Sequence, residues 1–522
     1  MHETVSRSDS LRQIGSSRER SLGALTVFLG ALALGHATPR ATGQQVIPRP
    51  QAEVIARQKG WPIRKVTALG GIIELQKIVN GIPFYYVTYN RTAADTVSTD
   101  ECWPGGSTNL SLTGAGVKLG IWDGGGVLTT HQEFGGRAVQ SDVPPGFLDH
   151  STHVAGTMIG AGLSLFAGTG RPAGQSKGMS FAASLDCYDW NSDTNEMAAA
   201  AAAGLLASNH SYGLSTGWYF GNLGAGQGWY WYGDVNVSTF EDYFFGFYSL
   251  ESASWDTIAY KKPYYLIVKA AGNDRNYGPA PGTTHFVSIG GNWVLTNTVR
   301  SLNGNNGYDS ISHSGLSKNI LSVGAVGDVI GGYAGPGSVV MSSFSSWGPA
   351  DDGRIKPDVV GNGIDLYSAS SASDTAYIGK SGTSMSSPNV TGSLGLLIQH
   401  YGATHGGANM RAATLKGLVV HTADECGSAT GPDYSFGWGL VNTAAAANVI
   451  ALNQTVPGTM QELALANGDF IEQIWTSSGS GPIRVTICWT DPPGTPPPPA
   501  LDRLEPALVN DVDLRLVGPD ST

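Results

Sequence analysis

The sequence of 522 residues is poor in cysteine, in charge and in long hydrophobic runs, and each scarcity excludes a class of protein. No Cys-x-x-Cys or His/Cys cluster indicates a zinc site, and the cysteines are too few for a disulfide framework: Cys102, Cys187, Cys426 and Cys488. Charged residues make up 14% and the net charge is −11, which argues against nucleic acid or an anionic membrane as the main partner. The hydrophobic content of 41% suits a large buried core.

A long hydrophobic run near the N-terminus covers residues 22–37 and follows a stretch rich in arginine. This run is shorter than the roughly 20 residues that a membrane span needs. Small residues follow it, which is typical of a signal peptide at residues 1–43, and an uncleaved anchor is the alternative. We therefore expect a secreted or otherwise extracytoplasmic protein with no membrane contact beyond the signal peptide.

The segment at residues 381–388, Ser-Gly-Thr-Ser-Met-Ser-Ser-Pro, places Ser384 where a loop becomes an apolar helix. The N-terminus of a helix has unpaired backbone N–H groups and a partial positive charge. A serine in this position can attack a carbonyl carbon while its own N–H faces the oxyanion that forms. The alternative interpretation is that Ser384 only caps the helix.

A serine hydroxyl is a weak nucleophile, so it needs a base, and the base needs an orienting group. Residues 117–122 predict an apolar strand that ends at Asp123, and His153 opens a helix of small residues. The chain order Asp123, His153, Ser384 is one of the known orders of a catalytic triad. Asn273 follows another apolar strand, where its carboxamide could donate a hydrogen bond to the oxyanion. Taken singly, Asp123 and Asn273 are equally typical of turns, and His153 could be a histidine whose hydrogen bonds are satisfied in the core.

Together these segments resemble the subtilisin-like serine peptidases, the subtilase family, from about residue 112 to about residue 447. The resemblance implies a doubly wound α/β fold with a mostly parallel sheet, and a catalytic domain at residues 101–452. It implies that Asp123 orients the base, that His153 is the base, and that Ser384 is the nucleophile. It also implies a strand that pairs with the backbone of a protein or peptide substrate, formed by Ser211, Tyr212 and Gly213. The family needs no cofactor for the chemistry, and a structural calcium ion is expected.

Residues 44–100 differ in composition from the domain that follows. Residues 51–59 predict a short helix, and residues 72–78 and 82–88 predict a hairpin around Asn80-Gly81. A segment of this size between a signal peptide and a protease domain is either a pro-segment that is cut off or a permanent N-terminal cap. Both interpretations remain open.

The last segment, residues 453–522, resembles the C-terminal β-sandwich of some secreted alkaline subtilases. Strands are predicted at residues 470–476, 483–490 and 512–517. Asp511 and Asp513 point to one face of the last strand and are candidate calcium ligands. Three or four strands leave a sheet edge uncovered, so we expect either a fragment of a longer protein or a minimal sandwich.

An aromatic-rich stretch, residues 214–264, follows the predicted substrate strand. Its aromatic side chains could form subsites for an extended peptide, pack a satellite core, or stack on carbohydrate; we favour the satellite core because exposed aromatic patches are costly. Four of its polar residues could hold calcium, although ordinary surface residues are the simpler interpretation: Asp234, Asn236, Glu241 and Asp242.

The sequence therefore predicts a secreted serine endopeptidase that works through an acyl-enzyme. One rival is a catalytically silent binding or adhesion protein on the same fold, which would be expected to have lost one of the four site residues. Another is an esterase with a Gly-x-Ser-x-Gly elbow. The one such match lies around Ser215 and is not followed by a predicted helix.

Overall fold

The computed structural model describes residues 46–66, 72–79, 81–88, 94–164, 174–329, 332–476 and 481–518. The predicted signal peptide lies outside the described residues. The helices are α1 (Arg49–Lys59), α2 (Asp149–Ile159), α3 (Asp193–Ala202), α4 (Leu250–Lys261), α5 (Thr383–Thr404), α6 (Ala412–Thr422) and α7 (Thr443–Thr455).

The strands form a central sheet, an N-terminal sheet, a four-stranded sheet and a hairpin. They are β1 (Val46–Pro48), β2 (Arg64–Val66), β3 (Ile72–Val79), β4 (Ile82–Thr88), β5 (Lys118–Asp123), β6 (Ala138–Gln140), β7 (Ser184–Asp189), β8 (Ala207–His210), β9 (Tyr212–Leu214), β10 (Trp218–Asn222), β11 (Gln227–Trp231), β12 (Leu266–Ala270), β13 (His285–Ile289), β14 (Asn292–Thr296), β15 (Leu321–Val326), β16 (Val359–Asn362), β17 (Leu366–Ala369) and β18 (Tyr377–Lys380).

The central sheet has seven parallel strands in the order β16-β15-β12-β8-β5-β7-β6. Alternate residues of β12 pack on opposite faces, as the pleat requires. Ile267 belongs to the cluster that contains Trp255 of α4, whereas Leu266 and Val268 belong to the cluster that contains Leu394 of α5. Helices therefore cover both faces, and the predicted doubly wound α/β fold is confirmed.

Helix α5 runs through the core, and residues 383–397 are buried. It begins after Gly382, whose φ of 155° and ψ of 165° are open almost only to glycine. The small residues of its first half let it pack closely against α2 and the strands. The burial of this helix explains why its N-terminal residues, including Ser384, are held in fixed positions.

The N-terminal segment, residues 46–88, packs on the α/β body, which is formed by the described residues between 94 and 455, rather than apart from it. The predicted helix and hairpin are present as α1 and the antiparallel pair β3–β4. Its sheet continues from β4 into β9, a strand of the α/β body. Ala52, Ala56, Leu75 and Ile78 are buried in the same hydrophobic cluster as Tyr212. The boundary at residue 100 remains a prediction, because one core crosses it.

Most side chains of the aromatic-rich stretch are buried, but six of them pack in the main hydrophobic cluster with Trp122 and Ile267 rather than in a satellite core. The fully or nearly fully buried members are Trp218, Tyr230, Trp231, Tyr232, Tyr243, Phe244, Phe245, Phe247, Tyr248 and Trp255. Strands β10, β11, β13 and β14 form a separate four-stranded sheet that carries part of this packing. Phe220 is an exception, since it is 49% exposed.

The predicted C-terminal β-sandwich is not confirmed. Residues 456–476 and 481–518 contain no strand, and Phe470 and Ile474 are 84% and 93% exposed. A strand needs a hydrogen-bonding neighbour, and the three apolar runs do not pair with one another. The segment instead contacts the α/β body through Asp491, whose carboxylate binds Lys318 and accepts the N–H groups of Val509 and Asn510.

The four cysteines form no disulfide, and Cys102, Cys187 and Cys426 are buried. In the part of the chain that the structure describes, none of the helices has the length and apolar character needed to cross a membrane.

Candidate active site

Asp123 ends β5 at the carboxyl edge of the central sheet and is fully buried. Its Oδ1 lies 2.7 Å from Nδ1 of His150, the second residue of α2. The same oxygen accepts the backbone N–H of Gly124 at 2.7 Å and the hydroxyl of Ser151 at 3.1 Å. A proton on Nδ1 that faces this carboxylate leaves Nε2 of His150 to act as a base.

The structure contradicts the sequence-based assignment of His153 as the partner of Asp123. His153 lies one helical turn further along α2, is fully buried, and its Nε2 lies 2.9 Å from the carbonyl of Leu366. Burial lowers its pKa to about 3, and the charge of Lys380 contributes. A histidine that stays neutral across the working pH range and is turned away from the acid cannot be the base of this site.

Ser384 occupies the second position of α5, close to the carboxyl end of β8. Its hydroxyl donates to the carbonyl of Ser211 at 3.0 Å. Because a hydroxyl has a single proton, the Oγ must rotate before that proton can face a base. Because Ser384 lies in the first turn of α5, its backbone N–H has no acceptor one turn earlier in the helix.

A buried hydrogen-bond network that the sequence analysis missed connects β8 with α5. The Nδ2 of Asn209 donates to the hydroxyl of Ser211 at 2.9 Å, and that hydroxyl donates to the carbonyl of Ser384 at 2.9 Å. The Oδ1 of Asn209 accepts the hydroxyls of Ser387 at 2.7 Å and Thr391 at 3.3 Å. The only sequence signal was the phrase Ser-Asn-His-Ser, whose asparagine is fully buried.

Asn273 has the arrangement of an oxyanion donor. Its Oδ1 accepts both the backbone N–H of Thr383 at 2.8 Å and the Thr383 hydroxyl at 3.1 Å, which fixes the orientation of the amide. Its Nδ2 is buried and has no acceptor among the described residues. An unpaired buried donor is costly unless a ligand accepts it. The structure thus places Asn273 beside the N-terminus of α5, and its role as an oxyanion donor stays a prediction.

Strand β9 contains Tyr212 and Gly213 of the predicted substrate strand, and Ser211 precedes it. Its edge is paired antiparallel with β4 of the N-terminal segment, with Thr88 opposite Tyr212 and Val87 opposite Gly213. Nearby, Nη2 of Arg64 donates to the carbonyl of Gly124 at 2.5 Å, next to Asp123. The N-terminal segment thus covers the edge to which an extended peptide would add.

Asp511 and Asp513 are exposed, and their role as calcium ligands stays a prediction, while a second group of acidic residues is also suited to hold a metal ion. Carboxylate oxygens of Asp309, Asp351 and Asp502 all lie within 4.8 Å of one another. Burial and repulsion by its neighbours raise the pKa of Asp309 to about 8 and that of Asp351 to about 7. The charge of Glu241 adds to this repulsion.

Comparison with known proteins identifies what the chain resembles. The sequence model described as the Subtilase family matches residues 116–439. C5a peptidase of Streptococcus pyogenes is 49% identical over 61 residues, which are 12% of this chain and 5% of that protein. Serine protease AprX of Bacillus subtilis is 34% identical over 110 residues, 18% of this chain and 24% of AprX.

The chain thus spans a small part of the curated relatives that it matches. Among solved structures, fervidolysin from Fervidobacterium pennivorans, a keratinolytic enzyme related to subtilisin, aligns with 68% of this chain and 45% of its own. The sequence identity is 19% and the TM-score is 0.40.

Proposed function

The chain belongs to the subtilase family of serine peptidases, and on that premise we propose that it is an endopeptidase with Asp123, His150 and Ser384 as its triad. The observation that carries the proposal is the 2.7 Å contact between Nδ1 of His150 and the buried carboxylate of Asp123. This contact sets the tautomer that a general base requires. The substrates are proteins or peptides.

In the proposed reaction the Oγ of Ser384 attacks the carbonyl carbon of the peptide bond while its proton passes to Nε2 of His150. The oxyanion accepts hydrogen bonds from Nδ2 of Asn273 and from the backbone N–H of Ser384. His150 then gives the proton to the leaving amine, and the acyl-enzyme forms. Water, deprotonated by the same nitrogen, releases the carboxylic acid and restores Ser384.

The hydroxyl of Ser384 must leave the carbonyl of Ser211 before this reaction starts. Rotation about a single side-chain torsion moves the Oγ, since the backbone is held by α5 and by the Asn209 network. No cofactor is required for these steps.

We further propose that the N-terminal segment is a pro-segment rather than a permanent cap. The support is that β4 pairs with β9 in the place that an extended substrate would take. Purified protein incubated at neutral pH is expected to lose this segment, which N-terminal sequencing would detect, and the Ser384→Ala variant is expected to keep it. A wild-type protein that stays intact yet hydrolyses casein would establish the permanent cap instead.

We propose that a structural calcium ion binds at the acidic cluster of Asp309, Asp351 and Asp502. Buried oxygens without a hydrogen-bond partner among the described residues, Oδ1 of Asp309 and Oε1 of Glu241, fit an all-oxygen calcium site. Calcium would offset the repulsion among these carboxylates and stabilise the fold. Calorimetry should show that calcium raises the melting temperature of wild type and of the control Asp511→Asn, but not of Asp309→Asn. An equal effect on all three proteins would place the ion elsewhere.

Labelling with a fluorophosphonate, followed by peptide mapping, tests the proposed nucleophile. The processed protein should be labelled on Ser384, and the Ser384→Ala variant should not be labelled at all. Absence of labelling in folded, processed wild type would make the binding-protein interpretation the leading one. Because of the predicted signal peptide, we also propose that the protein acts outside the cytoplasm, which fractionation of the producing cells would check.

A further inference from the structure

Lys269 is a buried cation that the proposed reaction does not use. It lies in β12 between apolar neighbours, and only 4% of the residue is exposed. Removing an ammonium group from water is costly unless its donors are satisfied. A lysine in the central sheet, four positions before Asn273, therefore needs an explanation.

The ammonium of Lys269 is bound to the backbone of the proposed substrate strand. Its Nζ donates to the carbonyl of Tyr212 and lies 5.3 Å and 5.9 Å from the ring centroids of Tyr212 and Trp255. A Cβ atom placed on Gly213 would be 3.6 Å from Nζ. In the part of the chain that the structure describes, Lys269 takes part in no ion pair, so its charge is directed at this carbonyl and the two rings.

Successive carbonyl groups of an extended chain point in opposite directions. The carbonyl of Ser211 accepts the hydroxyl of Ser384, whereas the next carbonyl, that of Tyr212, turns to Lys269. Gly213 follows, on the edge that pairs with β4. Lys269 thus contacts β9 on the side that faces β12. The opposite edge of β9, which pairs with β4, can pair with a partner strand.

We infer that Lys269 is a positioning residue, which holds β9 in the register that a peptide substrate needs by binding the carbonyl of Tyr212. The inference rests on the proposed peptidase function and extends it. Without this bond the strand would lose its fixed distance from β12, and with it the alignment of Ser211 and Gly213 relative to Ser384. The expected consequence is weaker binding of extended peptides rather than slower chemistry.

The ionisation of Lys269 gives the inference a second observable. Burial lowers its pKa to about 8, against the opposing charges of Glu251, Asp193 and Asp274. The remaining titratable groups that face it are His210, Tyr212 and His313, and Lys77 reaches Glu251 from the N-terminal segment. As the pH rises through about 8 the ammonium becomes neutral, and the charge-assisted hydrogen bond is lost. KM for extended peptides should therefore rise above pH 8.

The test compares Lys269→Met with Lys269→Arg in the processed protein. The methionine variant should raise KM for a peptide of six residues about tenfold, with kcat changed less than twofold, and should abolish the rise of KM above pH 8. The arginine variant should retain a low KM and move the rise to higher pH. Hydrolysis of p-nitrophenyl acetate, which does not pair with β9, should be unchanged in both variants.

Lys356→Met is the matched control, since Lys356 is also buried, its pKa is also lowered to about 8, and it binds Asp358 instead of β9. This control should lower the melting temperature without raising KM. An unchanged peptide KM in a folded Lys269→Met protein would overturn the inference, and so would a loss of ester and peptide hydrolysis in equal proportion. A wild type that hydrolyses neither substrate would overturn the proposed function itself.

Discussion

The two histidines of α2 give the sharpest test of the site, because the sequence and the structure assign the base differently. We predict opposite outcomes for His150→Ala and His153→Ala. The first removes the group that binds the carboxylate of Asp123, and the second removes a buried ring that binds the carbonyl of Leu366.

The two substitutions should differ in the property that they change. Loss of the base of a triad costs about 10⁴- to 10⁶-fold in kcat. Loss of the His153 hydrogen bond leaves the carbonyl of Leu366 short of a partner and creates a cavity, which together should cost about 2–4 kcal/mol of folding free energy. The His153→Ala protein should therefore melt earlier and, below its melting temperature, keep kcat within about tenfold of wild type.

Scanning calorimetry gives the melting temperature of each protein. The initial rate on a chromogenic peptide is then measured at one common temperature, about 15 °C below the lowest melting temperature found. The enthalpy of the calorimetric transition gives the folded fraction of each preparation, so that unfolded protein does not mimic a loss of kcat. The reasoning would be refuted if His150→Ala retained most of its kcat while folded His153→Ala lost about 10⁴-fold. That result would restore the assignment of His153 as the base.

Three further predictions follow from the described contacts. Asn273→Asp keeps an acceptor for Thr383 but loses the free amide donor, so kcat should fall about 10²- to 10³-fold with little change in melting temperature. Lys318→Met leaves the buried carboxylate of Asp491 without its cation and should cost about 3–5 kcal/mol, visible as a large fall in melting temperature. The raised pKa values of Asp309 and its neighbour mean that the folded metal-free protein holds protons which it loses as the pH rises through 7 to 8. Chelated protein should therefore melt lower at pH 8 than at pH 6, and added calcium should remove the difference.

The sequence was sufficient for the central sheet because strand and helix signals there are local. The apolar run that ends at Asp123 and the small-residue helix after Gly382 each become one element of the structure. The choice between His150 and His153 was not local. Both histidines lie on the same side of α2, three residues apart. Only the first turn, which contains His150, reaches the carboxyl edge of the sheet, where β5 ends at Asp123. The start of α2 at Asp149 is the signal that would have separated them.

Other features depended on contacts between distant parts of the chain. Asp309, Asp351 and Asp502 come from three separate loops, so no sequence pattern connected them, whereas the neighbouring Asp511 and Asp513 looked like a pair. The C-terminal apolar runs have the composition of strands but lack neighbours to pair with among the described residues. In both cases the sequence describes what a residue can do, and the fold decides which residues it meets.

Charged residues are few, but basic and acidic residues are unevenly distributed along the chain, and this distribution accounts for the position of the N-terminal segment. Residues 46–88 contain six basic residues and two glutamates, whereas the whole chain has 30 basic and 41 acidic residues. Four of these basic side chains reach the α/β body, where Lys59 binds the carbonyl of Gly291, Arg64 that of Gly124, Lys65 that of Asn222, and Lys77 the carboxylate of Glu251. Three of the four acceptors are carbonyl dipoles, so the attachment depends on geometry as well as on net charge. Removal of the segment would therefore free both the edge of β9 and the carbonyl of Gly124, next to Asp123, the residue proposed to orient the base.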